Sequence, residues 1–519
     1  MRVAGFLTLS ALAQAVLGAQ FKVIAPGAES VEVSVNGQNT KLTAPDGDVP
    51  YFVGDADGAD NTKYKYVVNG QAESFDRTLS GNSTKNDFYD RPVTYANIPA
   101  LPQAIEKDNW TRAIEPGAIW DINYVPSVFI QGNQDDMDSL VKDLSKNIYK
   151  AKITFIDADD VHTYEGADFQ LHKPGKKNNN AKQSWKWRLP EGDLLNGRDF
   201  FKIRHMEEDP TQMREKLYAD ILRSMGVYAP QANMIRFFIN GEGFGTFNML
   251  DDIPEYSYIQ SVIYGGKPPN KMGPLFDGAS GASFKDDQTN LDAFQPGVNS
   301  TDDKALIGEV SKNLASLDVN DDAAVQAFSK KFTVDQFLRF MVMEFLAAQW
   351  DGYWQEQTNI GAYEDTENNL LYFLGQDFDA TFGVNIPYGK QFVELPYTDY
   401  PEKFKDGVMI NKLLQNKNIK STFESYIKST VTNVFNNNTL TNHVLKYHDF
   451  ILPDLKWDRG IKQQSKGINF GWTFDQVTEN LWHGVDAPNK NGGGAEWGLV
   501  EYIAKKSQVV AKQLGLQLQ

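Results

Sequence analysis

The first hundred residues alternate hydrophobic and polar positions in short runs that predict β-strands. These runs occupy residues 21–24, 30–35, 51–53 and 64–68. Asn36-Gly37 and Asn69-Gly70 separate apolar segments, and such pairs mark hairpins because both residues adopt a positive φ readily. We therefore predict a small β-sandwich over residues 20–95, which either binds a cell-wall glycan or serves as a spacer.

The rest of the chain changes character after an aperiodic, proline-containing segment. Residues 96–116 have the composition of a linker between domains. Residues 117–519 then combine strand-like alternation with helical periodicity, which predicts one large α+β unit. Within this unit an Asn-Gly pair at 240–241 predicts a hairpin. The polar residues 176–180 and 276–303 are predicted loops.

Two strand-like segments of this unit, residues 183–189 and 200–204, alternate basic side chains with apolar or aromatic ones. The alternation places Lys186 on one face of its strand, and Lys202 and Arg204 together on one face of theirs. A row of cations on a strand face either meets solvent or faces phosphate groups. The pattern leaves both interpretations open.

A helix is predicted after the second basic strand. Asp209 is a suitable N-cap, Gln212 can complete a capping box, and Gly226 stops the helix after Met225. Arg214 falls on the apolar stripe of this helix, so its guanidinium should be buried and needs an anionic partner. That partner is either a carboxylate of the protein, in an internal salt bridge, or a ligand.

Residues 337–347 are apolar nearly all round, which predicts a helix through the core of the unit. This helix ends just before a loop that begins Trp350-Asp351, so Asp351 is held by a rigid base. The strand-like residues 360–364 and 370–374 follow and predict a hairpin, because a short polar turn separates them.

The ends of this hairpin carry Asn359 on one side, and Asp377 and Asp379 on the other. A hairpin brings its ends together, so Asn359 and Asp377 should be neighbours. Phosphoryl transfer needs oxygen ligands for Mg²⁺ and an aspartate that orients or deprotonates the accepting hydroxyl. Asp351, Asn359, Asp377 and Asp379 supply that set. A calcium site or a surface acidic cluster is the alternative.

The chain begins as a cleavable secretory signal does, with Arg2, an apolar run over residues 3–9 and small residues after it. We predict a signal peptide over residues 1–19, cut after Gly18 or Ala19, and hence a protein secreted to the outside of the cell, the spore or the cell wall. Asn-x-Ser/Thr sequons, which such a route can glycosylate, occur at Asn82, Asn109, Asn299 and Asn437.

Composition narrows the choice of function. The absence of cysteine excludes disulfides, thiol catalysis and cysteine-ligated zinc. The net charge of -17 argues against nonspecific nucleic-acid binding, and it either favours basic proteins and divalent cations or serves solubility alone. After the signal, no stretch of sequence is long and apolar enough to cross a bilayer, and residues 505–519 are polar instead of forming a lipid-anchor signal.

Several separated segments, taken in their order along the chain, resemble those of a known family. They are residues 201–204, 209–217, 239–245 and 377–383, with 180–187, 204–210, 274–282 and 351–369. Together they resemble the spore coat protein CotH kinase family over about residues 125–480, and most closely the CotH-like secreted and invasin proteins of mucoralean fungi. The resemblance implies an atypical, two-lobed protein-kinase-like fold. It also implies transfer of the γ-phosphate of ATP to serines of secreted, coat or cell-wall proteins with Mg²⁺, Mn²⁺ or Ca²⁺.

Carried over to this chain, the resemblance assigns three kinds of role. Asp351 matches the catalytic aspartate. The metal ligands it implies are Asn359, Asp377 and Asp379, and the nucleotide-binding residues are Lys186, Lys202, Arg204 and Glu215. Either Lys186 or Lys202 contacts phosphate, with Glu215 as the ion-pair partner of that lysine. The implied protein substrate is serine-rich and basic.

The chain departs from the ordinary kinase catalytic loop in two respects. Trp350, and not a histidine or an arginine, precedes Asp351, and Asn359 stands farther along the chain than the ordinary spacing places it. The metal geometry of ordinary kinases therefore does not transfer to this site.

The same resemblance supports a second function, adhesion to a host-cell receptor with weak or no kinase turnover. Residues 357–365 resemble part of the recognition loop of fungal invasins and are expected to be exposed. Ile360 and Glu364 depart from that loop, because a smaller polar and a basic residue are expected there. A lipid-anchor tail is not expected either, so we rank adhesion below catalysis.

Overall fold

The computed structural model describes residues 18–105, 117–173, 181–489 and 494–518. The predicted signal peptide up to residue 17, residues 106–116 of the predicted linker, the sequon at Asn109 and the predicted loop 176–180 lie outside the described residues. The chain divides into two compact units. One contains the residues up to 95 together with residues 158–160, and the other contains the remaining residues.

The first unit is rich in short strands, as the alternating pattern predicts. Strands β1 to β8 are Gly18–Ile24, Val31–Val35, Gln38–Lys41, Tyr51–Asp57, Lys63–Val68, Gln71–Ala72, Arg77–Thr78 and Asp87–Phe88. One sheet has the order β4-β1-β8, and the other has the order β3-β2-β5-β6 with β7 paired to β5. Apolar side chains from both sheets share one core. Glycan binding by this unit stays a prediction.

A closed barrel of seven strands lies in the second unit. Strands β9 to β15 are Ser127–Gln131, Tyr149–Ile156, Val161–Leu171, Trp185–Arg188, Phe200–Arg204, Ala232–Ile239 and Glu242–Leu250. Their order around the barrel is β10-β11-β12-β13-β15-β14-β9, and β9 pairs with β10 to close it. The hairpin predicted at residues 240–241 is the turn between β14 and β15.

Aromatic and aliphatic side chains fill this barrel. Trp185, Trp187, Phe201 and Ile203, which alternate along β12 and β13, belong to one buried core. The basic side chains between them therefore lie on the outer face of the two strands. Because the interior is packed, a ligand has to bind at the outer face or the edges of the barrel.

The second unit also contains a sheet of four antiparallel strands and the α-helices of the described residues. Strands β16 to β21 are Leu275–Gly278, Phe294–Pro296, Ile360–Asp365, Leu370–Gly375, Val485–Asp486 and Gly494–Ala495. The sheet order is β17-β16-β18-β19, and β20 pairs with β21. Helices α1 to α14 are Gln134–Asp143, Arg214–Ser224, Tyr256–Tyr258, Gln288–Ala293, Ala305–Ser316, Asp322–Ser329, Val334–Ala347, Tyr353–Glu356, Tyr400–Lys403, Val408–Leu413, Lys417–Asn433, Thr439–Gly460, Phe474–Trp482 and Leu499–Leu514.

None of the helices in the described part of the chain combines the length and the apolar character that a membrane crossing requires. The prediction of a loop over residues 276–303 is wrong, since that segment contains most of β16 together with α4 and β17. Phe276, Phe284 and Phe294 anchor the segment in the core, and each is at most 1% exposed. The burial of these three phenylalanines therefore determines the structure of the segment, in spite of the turn-forming residues around them.

Helix α7 crosses the core as predicted. Every residue of α7 except Asp335 is buried. The chain leaves its C-terminus through Ala348, which has a left-handed φ of 47°, and so turns towards Trp350 and Asp351. The predicted hairpin is also present as β18 and β19. The backbone N–H of Gln376 donates to the carbonyl of Asn359 at 3.1 Å, which confirms that the two ends of the hairpin meet.

The helix predicted from Asp209 begins later than a capping box requires. Helix α2 starts at Arg214, and the preceding Gln212 has a φ of 54°, which no helical residue adopts. The Asp209 carboxylate still satisfies the first amides of the helix, because it accepts the N–H groups of Met213 and Arg214 at 2.9 and 2.8 Å. Asp209 therefore caps the first amides of the helix with its side chain, as predicted, but the N-cap residue is Met213 and not Asp209.

Arg214 is fully buried, and its partner is a carboxylate of the protein itself. Its Nη1 lies 2.5 Å from Oδ1 of Asp209, and both side chains are 0% exposed. Nη1 also donates to Asn480 at 2.9 Å, and Nη2 donates to the carbonyl of Trp497 at 3.1 Å. Of the two partners considered for this arginine, the internal salt bridge is the one present.

We expect Arg214→Met to lower the free energy of unfolding of the second unit by about 3–5 kcal/mol, because it leaves the buried Asp209 charge without its cation. Urea unfolding followed by tryptophan fluorescence measures the loss. Arg223→Met is the matched control, since Arg223 is exposed on the same helix. Equal losses in the two variants would contradict the structural role of the Arg214 ion pair.

Candidate active site

One arginine of the barrel joins two aspartates that follow the β18–β19 hairpin. Arg204, the last residue of β13, pairs through Nη1 with Oδ1 of Asp377 and through Nη2 with Oδ2 of Asp379, the latter at 2.6 Å. The arginine and Asp379 are nearly buried, with 12% and 6% of their side chains exposed, whereas Asp377 is 32% exposed. The three residues connect the barrel edge to the chain segment that carries the predicted metal ligands.

A third carboxylate belongs to this group. Glu215 in the first turn of α2 offers an oxygen within 4.8 Å of oxygens of Asp377 and Asp379, so the three could hold a metal ion. Its Oε1 accepts the N–H of Phe378 at 3.4 Å, but its Oε2 is buried and has no hydrogen-bond partner. A buried carboxylate oxygen without a donor is costly unless a cation or water satisfies it.

The charges of the site do not balance. Burial raises the pKa of Asp379, although Arg204 opposes that shift, and Asp377, Glu208 and Glu215 add to it. Burial likewise raises the pKa of Glu215 against the effect of Arg204. For Arg204, burial acts to lower the pKa, but the carboxylates around it raise the pKa overall. Four carboxyl groups act on Arg204, and Lys202 is a second cation that acts on Glu215. Oxygen donors in such number fit a hard divalent cation.

Helix α2 packs against the segment that carries the two aspartates. The ring of Tyr218 stacks on Phe378 with 4.2 Å between centroids. The hydroxyl of Tyr218 donates to Oε1 of Gln349 at 2.6 Å, and Gln349 Nε2 donates to the carbonyls of Gln376 and Asp377 at 3.3 and 3.4 Å. This packing keeps Glu215 and Asp377 on adjacent rigid elements.

Lys202 lies two residues before Arg204 on the same face of β13, and it pairs with an acidic residue that the sequence did not single out. Its Nζ lies 3.0 Å from Oδ1 of Asp252, just after β15. Glu215, the partner expected for the phosphate-binding lysine, instead joins the acidic group. Lys186 stands opposite Lys202 in the strand register, 6.0 Å above the ring of Phe200. Both lysines therefore occupy the face predicted for them.

A cleft lies between β13, α2 and the end of the hairpin. Its charged lining consists of Lys202, Arg204, Glu215, Asp251, Asp252 and Asp377. Its apolar lining includes Ala219, Leu250 and Phe378. Cations and carboxylates therefore line the same cleft.

Asn359 connects the Asp351 loop to the residue before Asp377 through two hydrogen bonds. The side-chain Nδ2 of Asn359 donates to the backbone carbonyl of Asp351 at 2.7 Å. The backbone carbonyl of Asn359 accepts from the N–H of Gln376. Asn359 and Asp377 have left-handed φ values of 53° and 61°. Such conformations cost energy and cluster at functional sites. The amide of Asn359 thus fixes the Asp351 loop, which the sequence did not predict.

The loop that carries Asp351 is anchored by a buried carboxylate of α7. Glu344 is 5% exposed and accepts the N–H groups of Tyr353 and Trp354 at 2.9 and 2.8 Å. A Cβ atom on Gly352 would lie 2.9 Å from the carboxylate carbon, so a side chain there would displace the carboxylate. Burial raises the pKa of Glu344 to about 8. This contact makes the helix a fixed base for the loop.

The segment expected to be an exposed recognition loop is buried. Residues 360–365 form β18, which pairs with β16 on one side and with β19 on the other. Tyr363 and Ala362 are 0% exposed, and Gln357 is 8% exposed. The expectation of exposure for residues 357–365 is therefore wrong. Residues 360–363 are buried in succession, as expected for a central strand that is covered on both faces.

Sequence reasoning missed three carboxylates near the site. Asp252 follows the apolar strand β15, Glu344 interrupts an apolar helix, and Glu208 lies inside the segment 204–210. A single acidic residue within or just after an apolar run is the signal that could have identified the first two, because burial of a charge requires a partner. No local pattern distinguishes Glu208.

Comparison with known proteins gives consistent results. The family described as CotH kinase protein matches residues 171–489. The protein named Invasin CotH7 of Rhizopus delemar is 55% identical over 501 residues, which span 96% of this chain and 84% of the relative. Spore coat protein homolog 1 of the same organism is 56% identical over 497 residues, spanning 95% and 81%. Inner spore coat protein H of Bacillus subtilis is 21% identical over 266 residues, spanning 48% and 67%.

We expect the wild-type protein to lose stability relative to Glu344→Gln as the pH rises from about 5 to about 8. Between the ordinary value of 4.5 and the folded pKa of about 8, the unfolded chain releases the proton and the folded chain retains it. The stability difference should therefore change by about 1.4 kcal/mol per pH unit. Urea unfolding at several pH values measures it, with exposed Glu479→Gln as the control. Parallel pH profiles for wild type and Glu344→Gln would refute the assignment.

Proposed function

The chain belongs to the CotH kinase protein family, and on this premise we propose that it is an atypical protein kinase. It transfers the γ-phosphate of ATP to serine hydroxyls of secreted, coat or cell-wall proteins. The observation that carries the proposal is the group formed by Glu215, Asp377 and Asp379 beside the cationic face of β13. Carboxylates for a metal next to cations for phosphate are the two requirements of phosphoryl transfer.

The acidic group fits the metal that this reaction requires. Glu215, Asp377 and Asp379 would hold Mg²⁺, or Mn²⁺ or Ca²⁺ in its place, and the unpartnered Oε2 of Glu215 favours such a ligand. A bound divalent cation supplies charge neutralisation for the phosphates of ATP. The side-chain Nδ2 of Asn359 donates to the Asp351 carbonyl. In the proposal, the side-chain Oδ1 of Asn359 is a further oxygen ligand for the metal.

The cations of the outer strand face bind the nucleotide phosphates in this proposal. Lys202 is the better placed of the two lysines, because it lines the cleft together with Arg204 and Asp377. Lys186 stands opposite it and extends the same positive face. Glu215 does not contact the nucleotide in this proposal and acts on it only through the metal held by the acidic group. These assignments support a kinase-like, two-lobed arrangement of the second unit.

Asp351 is the proposed base for the accepting serine. Its carboxylate orients the hydroxyl and takes its proton, the serine oxygen bonds to the γ-phosphorus, and the bond from that phosphorus to the β–γ bridging oxygen breaks. The products are phosphoserine and ADP. Glu344 and Asn359 hold the Asp351 loop in place during the transfer.

The relatives support a location outside the cell. Their printed names describe invasins and spore coat proteins, and the sequence begins with a predicted secretory signal. We propose that the substrates are serine-rich, basic proteins of the coat or the cell wall. The negative net charge of -17 favours partners of opposite charge.

We expect the purified protein to transfer ³²P from labelled ATP to a basic serine-rich peptide in the presence of Mg²⁺ or Mn²⁺. Asp377→Asn and Asp351→Asn should each reduce the rate by at least about 100-fold, because each removes a group that acts on the transferring phosphate or its acceptor. Asp135→Asn, an exposed position on α1, is the matched control and should leave the rate unchanged. Transfer that survives both active-site variants, or no transfer at all, would refute the kinase proposal.

A second candidate function is adhesion to a host-cell receptor. The names of two relatives that are 54–55% identical to this chain, Invasin CotH7 and Invasin CotH3, favour it. Because β18 is buried, the receptor-binding surface would lie outside residues 360–365. Adhesion and catalysis then use different parts of the molecule.

We expect adhesion, where present, to be independent of the acidic group. Fluorescently labelled wild type, Asp351→Asn and Asp377→Asn proteins should bind cultured host cells equally, because each substitution changes one side chain of the site and keeps its size. Flow cytometry measures the binding, with bovine albumin as the negative control. Absence of binding above albumin would exclude adhesion, and loss of binding in both variants would tie it to the acidic group.

A further inference from the structure

Arg204 occupies the carboxylates that the proposed kinase needs for its metal. Its guanidinium takes Oδ1 of Asp377 and Oδ2 of Asp379 at the same time. The carboxylates around it keep it charged in spite of its burial. A divalent cation held by Glu215, Asp377 and Asp379 would therefore lie within a few ångströms of a fixed positive charge. Like charges at that separation repel strongly in a buried site.

We infer that Arg204 is a displaceable counter-ion, which closes the acidic group in the metal-free protein and moves to Glu208 when a divalent cation binds. The inference rests on the proposed function, because it takes Asp377 and Asp379 as metal ligands. It assigns to Arg204 a role in gating metal binding, in addition to its expected contact with phosphate.

Arg204 supplies part of the positive charge that the acidic group needs. Two carboxylates in a largely buried position cannot both stay ionised without a cation near them. The guanidinium supplies one positive charge for Asp377 and Asp379, and leaves Glu215 Oε2 without a partner. The arrangement stabilises the metal-free state and remains short of positive charge. A divalent cation would neutralise the group more fully than the arginine does.

Glu208 is the carboxylate that can receive Arg204 when it leaves the two aspartates. Glu208 lies four residues along the chain, its side chain is 11% exposed, and its charge already acts on Arg204. Its Oε2 is buried and has no hydrogen-bond partner, and Nδ1 of His205, 3.8 Å away, accepts the N–H of Glu207 instead of donating to Oε2. A carboxylate in this state is an acceptor for a guanidinium. Glu208 thus provides a second position for Arg204 inside the same site.

Manganese binding in the absence of nucleotide tests this exchange. Electron paramagnetic resonance of free Mn²⁺ gives the dissociation constant for wild type, Arg204→Gln, Glu208→Gln and the double variant. We expect Arg204→Gln to bind Mn²⁺ roughly tenfold or more tightly than wild type, because a repelling charge is removed. Glu208→Gln should weaken binding in the wild-type background and have no effect in the Arg204→Gln background, since its role depends on the arginine.

The outcomes separate this inference from the proposed function. Equal affinities of wild type and Arg204→Gln would overturn the displacement of Arg204. Equal weakening by Glu208→Gln in both backgrounds would overturn Glu208 as its second position, because Glu208 would then act on the metal directly. Absence of Mn²⁺ binding in every variant would overturn the proposed metal site, and this inference with it.

Circular dichroism and thermal melting check that the variants fold. Should Arg204→Gln not fold, Arg204→Lys takes its place, because a single ammonium keeps the charge but cannot hold Asp377 and Asp379 together in a forked pair. Tighter Mn²⁺ binding by Arg204→Lys than by wild type supports the displacement, and equal binding overturns it. Neither result depends on phosphoryl transfer, so a protein without turnover still tests the inference.

Discussion

The double ion pair of Arg204 with Asp377 and Asp379 is the contact on which the rest of the site depends. It joins residues 173 and 175 positions apart in the sequence, and it holds the chain that leaves β19 against the edge of the barrel. Once this chain is in place, Phe378 stacks on Tyr218, and α2 brings Glu215 to the same point. The barrel, the helix and the hairpin therefore meet through charges and not through apolar burial alone.

A rigid support surrounds these charges. Helix α7 is buried along its length and holds the Asp351 loop through the two amide hydrogen bonds of Glu344. Asn359 and Asp377 sustain left-handed backbone at the hairpin ends, and Phe382 does so farther on. Strain of this kind persists only where the surrounding packing over-determines it. Precise placement of reacting groups needs such support, because a site on a loose loop loses its geometry.

The elements of the site could be predicted from the sequence, but most of its pairings could not. Periodicity alone predicts β12, β13, the β18–β19 hairpin and α7, because each buries one face or all faces of a regular element. The partner of Lys202 is Asp252 and not Glu215, and this depends on where distant strands end. The burial of β18 comes from its neighbours in the sheet, and the start of α2 is set by Asp209 and the backbone of Gln212. A local sequence pattern does not reveal either of these contacts.

The unsatisfied charge of the acidic group bears on which function this fold serves. Leaving a buried carboxylate oxygen without a donor costs about 1–3 kcal/mol, and Glu215 Oε2 is such an atom on the first turn of α2. An apolar residue at that position would pack in the same cleft without this cost. A protein that only adheres through another surface gains nothing from the carboxylate, whereas a protein that binds a divalent cation there requires it. The unpartnered oxygen is therefore better explained by a site that a bound cation completes than by packing.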